Sequence, residues 1–306
     1  MIRVSIITRT KDRIIMLKRA AESVANQRFR DFEWIVVNDG GDPVQVDDVL
    51  DGYRGRIDNI KTVHHAASRG MEAASNAGIA AASQGVFLVI HDDDDSWDPD
   101  FLKETVSFLS GPDGATFGGV ISQTLEVDEI VKGESIIEKA RRRWHPMLGY
   151  YPEGGVHISD LSVINQFPPI AFLYRRAVLD RIGCYNEKLP VLGDWEFNLR
   201  FIMESDIAVI PKPLANYHHR RAAVGTYGNS VHAGSARHLG YEAIIRNGAI
   251  RKAASEPFIA QLLLTGRQHL ETKKYVAPVA KLSNVVCKLL KPFARMVNPL
   301  RNWFGV

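Results

Sequence analysis

The stretch Val86-Phe87-Leu88-Val89-Ile90-His91-Asp92-Asp93-Asp94-Asp95-Ser96-Trp97-Asp98-Pro99 decides how the rest of the chain is read. Its apolar half reads as a buried strand, and the segment from Asp98 to about Leu109 reads as a helix. Between them, four adjacent carboxylates at a strand end repel one another and need a counter-charge. A hard divalent cation supplies one, because Mg²⁺ and similar ions prefer carboxylate oxygens and share them with substrate phosphates. The competing reading is a solvated acidic turn in which Asp98 or Ser96 caps the following helix.

Upstream, strand and helix signals alternate. Val4-Ser5-Ile6-Ile7 is a short β-rich run that ends in the polar Thr8-Arg9-Thr10-Lys11-Asp12. Ile14, Leu17, Ala21 and Val24 then recur at helical spacing. Phe32 to Val37 is a second strand, stopped by Asn38-Asp39-Gly40-Gly41-Asp42-Pro43. A short helix near Asp47, a strand near Ile60 to His64 and an alanine-rich helix from about Gly70 to Ser83 complete the series. This β-α-β-α order predicts an α/β fold with a mostly parallel sheet covered by helices on both faces. Ligands of such sheets bind outside the carboxyl ends of the strands. The clusters Thr8 to Asp12, Asn38 to Asp42 and Asp92 to Asp95 are therefore expected to converge. Neither G-x-G-x-x-G nor G-x-x-x-x-G-K-[ST] follows the first strand, so the dinucleotide and P-loop mechanisms lack their backbone cradle.

Downstream the signals weaken before they return. Phe117 to Leu125 predicts a strand, Glu134 to Trp144 a basic helix containing Arg141-Arg142-Arg143, and Tyr150 to Gly155 a loop. This middle region is expected to carry substrate contacts, with the arginine run as a solvated face. Ala171 to Tyr174 predicts a strand and Arg176 to Arg181 a helix closed by Gly183. Phe197, Phe201 and Ile202 predict a helix starting at Asp194, whose carboxylate is either an N-cap or a general base. A strand near Ile207 to Ile210 and the segment Tyr217-His218-His219-Arg220 end this part.

With 306 residues the chain is long enough for a substantial core, and 45% hydrophobic and 24% charged residues are ordinary for a globular protein. A net charge of +3 gives no argument for nucleic acid. Its distribution is uneven: seven Lys and Arg residues and no acidic one lie between Thr272 and Val306. There Lys274, Lys281, Lys288 and Arg295 share one helical stripe beside Val279, Leu282, Val286, Leu289, Phe293 and Met296, with Pro278 and Pro292 as kinks. Such a helix suits an anionic membrane surface or packs on protein. Cys184 and Cys287 have no metal-ligand spacing. No signal-peptide run opens the chain and no apolar run is long enough to span a bilayer, which predicts a cytoplasmic protein able to lie at the inner face of the membrane.

Taken in order, these motifs resemble family 2 glycosyltransferases with the Rossmann-like, nucleotide-sugar-binding GT-A fold. The resemblance covers roughly residues 2 to 225. It rests on Thr8-Arg9-Thr10-Lys11-Asp12-Arg13, Val36-Val37-Asn38-Asp39-Gly40, Arg69-Gly70 with Asn76-Ala77-Gly78, the aspartate run with Trp97-Asp98-Pro99, and Gly193-Asp194-Trp195-Glu196 with Arg200. It implies that Asp39 contacts the nucleotide base, beside the Thr8, Arg9 and Thr10 turn, and that Arg69 lies near base and diphosphate. Asp92-Asp93-Asp94 matches the D-x-D motif, with Asp93 toward the ribose and Asp94 on a divalent cation, Mn²⁺ or Mg²⁺. Asp194 matches the catalytic base of an inverting single displacement, and His218 or His219 falls where a metal or phosphate contact can stand. The sequence departs from the family pattern at Arg9 and Lys11, where Pro and Tyr are usual. Arg9 is then the candidate to stack on the base. Gly193 replaces the Glu of a Glu-Asp pair, leaving Glu196 as the candidate for acidic support.

The resemblance implies a nucleotide-diphospho-sugar donor, a UDP-sugar by the match at Asp39. A saccharide or lipid-linked acceptor of bacterial surface polysaccharide or glycolipid synthesis goes with it, and oligomerisation stays open. Residues 1–100 are expected to form the donor half, 101–230 the acceptor half and 231–306 a helical basic extension. The alternatives are a catalytically silent assembly subunit and a sugar-phosphate nucleotidyltransferase. The second lacks its glycine-rich first loop after Ile7.

Overall fold

The structure is a computed structural model that describes residues 3–83, 85–133, 135–144, 154–221, 225–228 and 235–252, with Thr265 and Thr272. Its first half runs β1 (Val4–Thr10), α1 (Ile14–Ala25), β2 (Phe32–Asp39), α2 (Pro43–Asp51), β3 (Ile60–His65), α3 (Met71–Ala81), β4 (Phe87–Ile90), β5 (Ser96–Trp97) and α4 (Phe101–Ser110). The second half runs β6 (Gly119–Lys132), β7 (Ser135–Arg143), α5 (Ile158–Val163), β8 (Phe172–Arg175), α6 (Leu179–Ile182), α7 (Gly193–Glu204), β9 (Ile207–His219) and α8 (Ser235–Lys252). The chain divides into a unit of residues 1–248 and a second of 249–306. The basic stripe expected after Thr272 and the loop residues 150–153 lie outside the described residues.

The strands form one sheet in the order β3-β2-β1-β4-β8-β6-β9-β5, with β7 added on β6. Strands β1 to β4 are mutually parallel, as the β-α-β-α pattern requires, and β8 joins β4 antiparallel. Alternation along each strand splits the core in two. Val4, Ile6, Trp34 and Val36 pack with Leu17, Val24 and Leu50 on the α1 and α2 side. Ile7, Ile35 and Val37 pack with Ala74, Phe197 and Phe201 on the α3 and α7 side. Gly78 lets α3 press onto this second face, since a Cβ there would meet Val37 Cγ2 at 3.2 Å and Ile7 Cγ1 at 3.3 Å.

Three local expectations are corrected. Residues 135–143 form strand β7, not a helix: the chain reverses at Gly133 (φ 59°) and pairs antiparallel from Lys132↔Ser135 to Leu125↔Arg143. The charges that suggested a helical face are cross-strand pairs, with Arg142 on Glu126 at 2.6 Å and Asp128 at 2.5 Å. Asp194 is not an N-cap. The cap position is Leu192, in the left-handed region at φ 63°, and Asp194 lies inside the first turn of α7. Nor does Asp98 or Ser96 occupy the cap of α4. Asp100 does, Asp98 accepts its amide at 2.9 Å, and Ser96 is in β5.

Among the described residues, no helix is long and apolar enough to cross a membrane.

Candidate active site

The aspartate run follows β4 at the carboxyl end of the parallel strands, and its counter-charge in this structure is arginine. Asp92 pairs with Arg9, the only one of the run with a side chain as much as 22% exposed. Asp93 is fully buried and pairs with Arg13, which also reaches Asp94 at 3.4 Å. Arg220, itself fully buried, bridges Asp94 and Glu129, the latter at 2.6 Å. Asp95 accepts the amide of His218 at 2.9 Å. Burial pushes Asp93 up to about 6 despite Arg13. Asp94 is buried too, yet Arg13 and Arg220 outweigh desolvation and hold it down at about 2.

Strand alternation separates residues that stand side by side in the sequence. Thr8 and Thr10 are buried, with Thr8 Oγ1 accepting from the Trp34 indole at 2.8 Å. Arg9 points to the other face, where it meets Asp92, Ser75 Oγ at 3.2 Å and Glu72 at 3.4 Å. Those contacts commit its guanidinium to α3 and the aspartate run. Likewise His218 and His219 diverge. His218 spends both ring nitrogens, Nδ1 on Glu129 at 2.8 Å and Nε2 on Ser96 Oγ at 2.9 Å. His219 lies against Tyr217, ring centroids 4.2 Å apart, and faces the cavity described next.

Asp39 ends β2 as a clamp on the loop before α3. Its two oxygens accept from His65 Nδ1, Arg69 N, Ser68 Oγ and Gly70 N at 2.7–3.0 Å. Burial opposes its ionisation, but these four donors hold the carboxyl below the ordinary aspartate range. The Arg69 side chain is more than half exposed and lies 3.5 Å from Glu187.

A cavity of about 350 Å³ joins the two ends of the candidate machinery. Arg9, Glu72, Asp92, Asn165 and Asp194 line it together with the aromatic residues Trp144, Tyr217 and His219. Asp194 is partly buried, and that burial raises its carboxyl above the ordinary range. Asn165 Nδ2 donates to Asp194 Oδ2 at 2.8 Å, and Asn198 Nδ2 donates to Asn165 Oδ1 at 3.0 Å. Glu196 does not line the cavity; it pairs with Arg200 one turn along, at 2.8 Å.

Whether a divalent cation fits follows from the donors that remain. Arg9 takes Asp92 Oδ1, and Arg13 and Arg220 take Asp94 Oδ2, leaving one hard oxygen on each carboxylate. Among the described residues, no three His, Cys, Asp or Glu side chains converge to hold an ion. The residues therefore fit a cation shared with a diphosphate, as Mg²⁺ commonly is, and not one caged by protein alone.

Residues 5–183 match the sequence model of glycosyl transferase family 2. The chain belongs to that family. A Mycobacterium bovis relative, the PGL/p-HBAD biosynthesis glycosyltransferase, is 26% identical over 64% of this transferase and 68% of its own length. The Bacillus subtilis glycosyltransferase YwdF is 25% identical over 68% and 71%. Among solved structures, Staphylococcus aureus TarS 1-349 in complex with UDP-GlcNAc superposes with a TM-score of 0.64 at 20% identity, covering 85% of this chain and 70% of that 1-349 chain. The Pyrobaculum calidifontis mannosyltransferase PcManGT, in complex with GDP-Man and Mn²⁺, gives 0.59 at 19% identity over 98% and 82%. The fold of this transferase is thus the GT-A fold, and its activity is glycosyl transfer.

Sequence reading missed three parts of the transferase site. Asn165 lies where periodic signals are weak. Glu72 reads as one more polar residue in an alanine-rich helix, although it is 5% exposed. Arg220 carries a signal in hindsight, because the acidic run demands cations and Arg220 directly follows strand β9, which ends at His219.

Proposed function

We propose that the chain is an inverting transferase that moves a sugar from a nucleoside-diphosphate donor, a uridine donor by the match at Asp39, to a hydroxyl of a saccharide or lipid-linked acceptor. The observation that carries this is the shared cavity. Asp92 and Asp194, from separate elements, open on one space large enough for a sugar, and Asp194 is oriented there by Asn165.

In this reading the acceptor hydroxyl gives its proton to Asp194 while its oxygen attacks the anomeric carbon. The bond from that carbon to the diphosphate oxygen breaks on the opposite face, and the electron pair leaves with the nucleoside diphosphate. Burial favours the step, because a carboxylate with a raised pKa is a stronger base than one in water. Asn165 fixes the Asp194 carboxyl in the cavity through Oδ2. A divalent cation held by the remaining oxygens of Asp92 and Asp94 would supply Lewis-acid stabilisation of the leaving diphosphate. That TarS and PcManGT were solved with UDP-GlcNAc and GDP-Man supports the donor class. The mycobacterial relative is named for PGL/p-HBAD biosynthesis, and the acceptor proposed for this chain is a saccharide or lipid-linked hydroxyl of bacterial surface polysaccharide or glycolipid synthesis.

The test is a panel of UDP- and GDP-sugars with Mn²⁺ and saccharide or glycolipid acceptors. Nucleoside-diphosphate release, with NMR of the product linkage, is the readout. An inverted anomeric configuration supports the displacement; retention contradicts it.

A further inference from the structure

Gly193 opens α7 beside Asp194, and another residue's carboxyl fills the space where its side chain would stand. A Cβ built on Gly193 would clash with Glu72 Oε1 and meet Glu72 Cγ at 2.7 Å. Glu72 reaches this point from the first turn of α3, is 5% exposed, and lines the same cavity as Asp92 and Asp194. Its charge is poorly met. Arg9 Nη1 lies 3.4 Å from Oε2, while the same guanidinium gives its closer contacts to Asp92. Among the described residues, nothing donates a hydrogen bond to Oε1. Oε1 opens on the cavity, where a ligand hydroxyl can supply the donor that the protein does not.

We propose that Glu72 is a sugar-binding carboxyl of this site: in the loaded enzyme Oε1 takes a hydrogen bond from a hydroxyl of the sugar in the cavity, orienting that sugar beside Asp194, and Gly193 is the gap that admits it. The inference rests on the transferase reading above. It is consistent with burial lifting the Glu72 carboxyl to about 7, against the pull of Arg9. It also explains why an acidic residue at position 193 is dispensable here, since the carboxyl arrives from α3 instead of from α7. The hydroxyl belongs to the transferred sugar or to the acceptor ring, and the two sources separate by experiment.

The experiment uses the full chain and whichever of UDP-glucose, UDP-galactose, UDP-GlcNAc and GDP-mannose the wild type turns over. Steady-state constants are measured for wild type, Glu72→Ala, Glu72→Gln and the relocated pair Glu72→Ala with Gly193→Glu. Hydrogen bonds to charged groups are worth enough that Glu72→Ala should lower kcat/KM about ten- to a hundredfold. The relocated carboxyl should recover most of it. Deoxy-sugar substrates give the readout that a structural role would not move: wild type discriminates against one deoxy position and Glu72→Ala does not. A loss that extends to donor hydrolysis without acceptor assigns the hydroxyl to the donor sugar; a loss confined to transfer assigns it to the acceptor. If Glu72→Ala fails to fold, Glu72→Gln and Gly193→Ala, which displaces the carboxyl without removing it, take its place. Folded variants with kcat/KM within twofold of wild type and unchanged discrimination overturn the proposal alone. A wild type that turns over none of these donors overturns the donor reading and this inference with it.

Discussion

Asn165 donates its side-chain amide to Oδ2 of Asp194 at 2.8 Å, and is itself held by Asn198 at 3.0 Å. The pair fixes one oxygen of the proposed base. Asn165→Ala should therefore lower kcat by between about tenfold and a hundredfold, the scale of losing near-attack geometry. Donor KM should stay within about twofold, because Asn165 holds the base and not the nucleotide. Steady-state kinetics with varied donor check this, and a pure KM effect would count against it.

Glu72 makes stability depend on pH in an unusual direction. Its carboxyl is raised from 4.5 to about 7 by burial, so the native state keeps a proton that the unfolded chain releases in that window. Stability attributable to this group falls as pH rises from about 4.5 to about 7 and does not return above it. Glu72→Gln removes the penalty. Relative to wild type it should gain up to roughly 3 kcal/mol at pH 8 and gain nothing at pH 4.5. Urea midpoints at the two values measure the difference; a gap independent of pH would mean that Glu72 does not titrate there.

Arg220 is fully buried between Asp94 and Glu129. Arg220→Met leaves two buried carboxylates without their shared cation and should cost about 3–5 kcal/mol, the usual result of breaking a buried pair from one side. Arg142→Met, on the exposed hairpin, should cost about 1 kcal/mol or less. Chemical denaturation of both variants tests the contrast, and equal losses would show that burial is not what sets it.

The carboxylate oxygens left on Asp92 and Asp94 suit a cation shared with diphosphate. UDP with Mn²⁺ should raise the melting temperature, by an amount equivalent to about 2.7 kcal/mol at a hundred times Kd. UDP with EDTA should raise it less, and Asp94→Asn should erase the difference. The same shift with and without the ion would argue that the arginines alone receive the diphosphate.

How much of this was legible in the sequence follows from period and distance. The parallel half of the sheet was readable because Val4–Ile7, Phe32–Val37 and Phe87–Ile90 are apolar runs separated by helical spacing, and short-range pattern sets that order. The aspartate run was readable as an acidic strand end that needs counter-charge, whereas Asp194 read from the residues as a cap or a base, and only the family resemblance favoured the base. Which cations meet the run was not readable, since Arg9, Arg13 and Arg220 reach it only after three elements converge. Strand period divides Thr8 from Arg9 and His218 from His219, a split that treating them as one cluster overlooks. The β7 strand was misread because a charged run at a helical composition is also what an exposed edge strand carries when its partner supplies the opposite charges. Glu72 was invisible because its role is defined by an absence, the missing side chain of Gly193 more than a hundred positions away.

The central claim is that Asp194 is the base. The most direct measurement compares wild type and Asp194→Asn for donor affinity by calorimetry and for kcat in transfer. Near-unchanged affinity is expected for Asp194→Asn, with a kcat lower by about a hundredfold or more and loss of the acid limb that wild type shows above the ordinary aspartate range. An Asp194→Asn variant that binds donor and transfers sugar at the wild-type rate would contradict it.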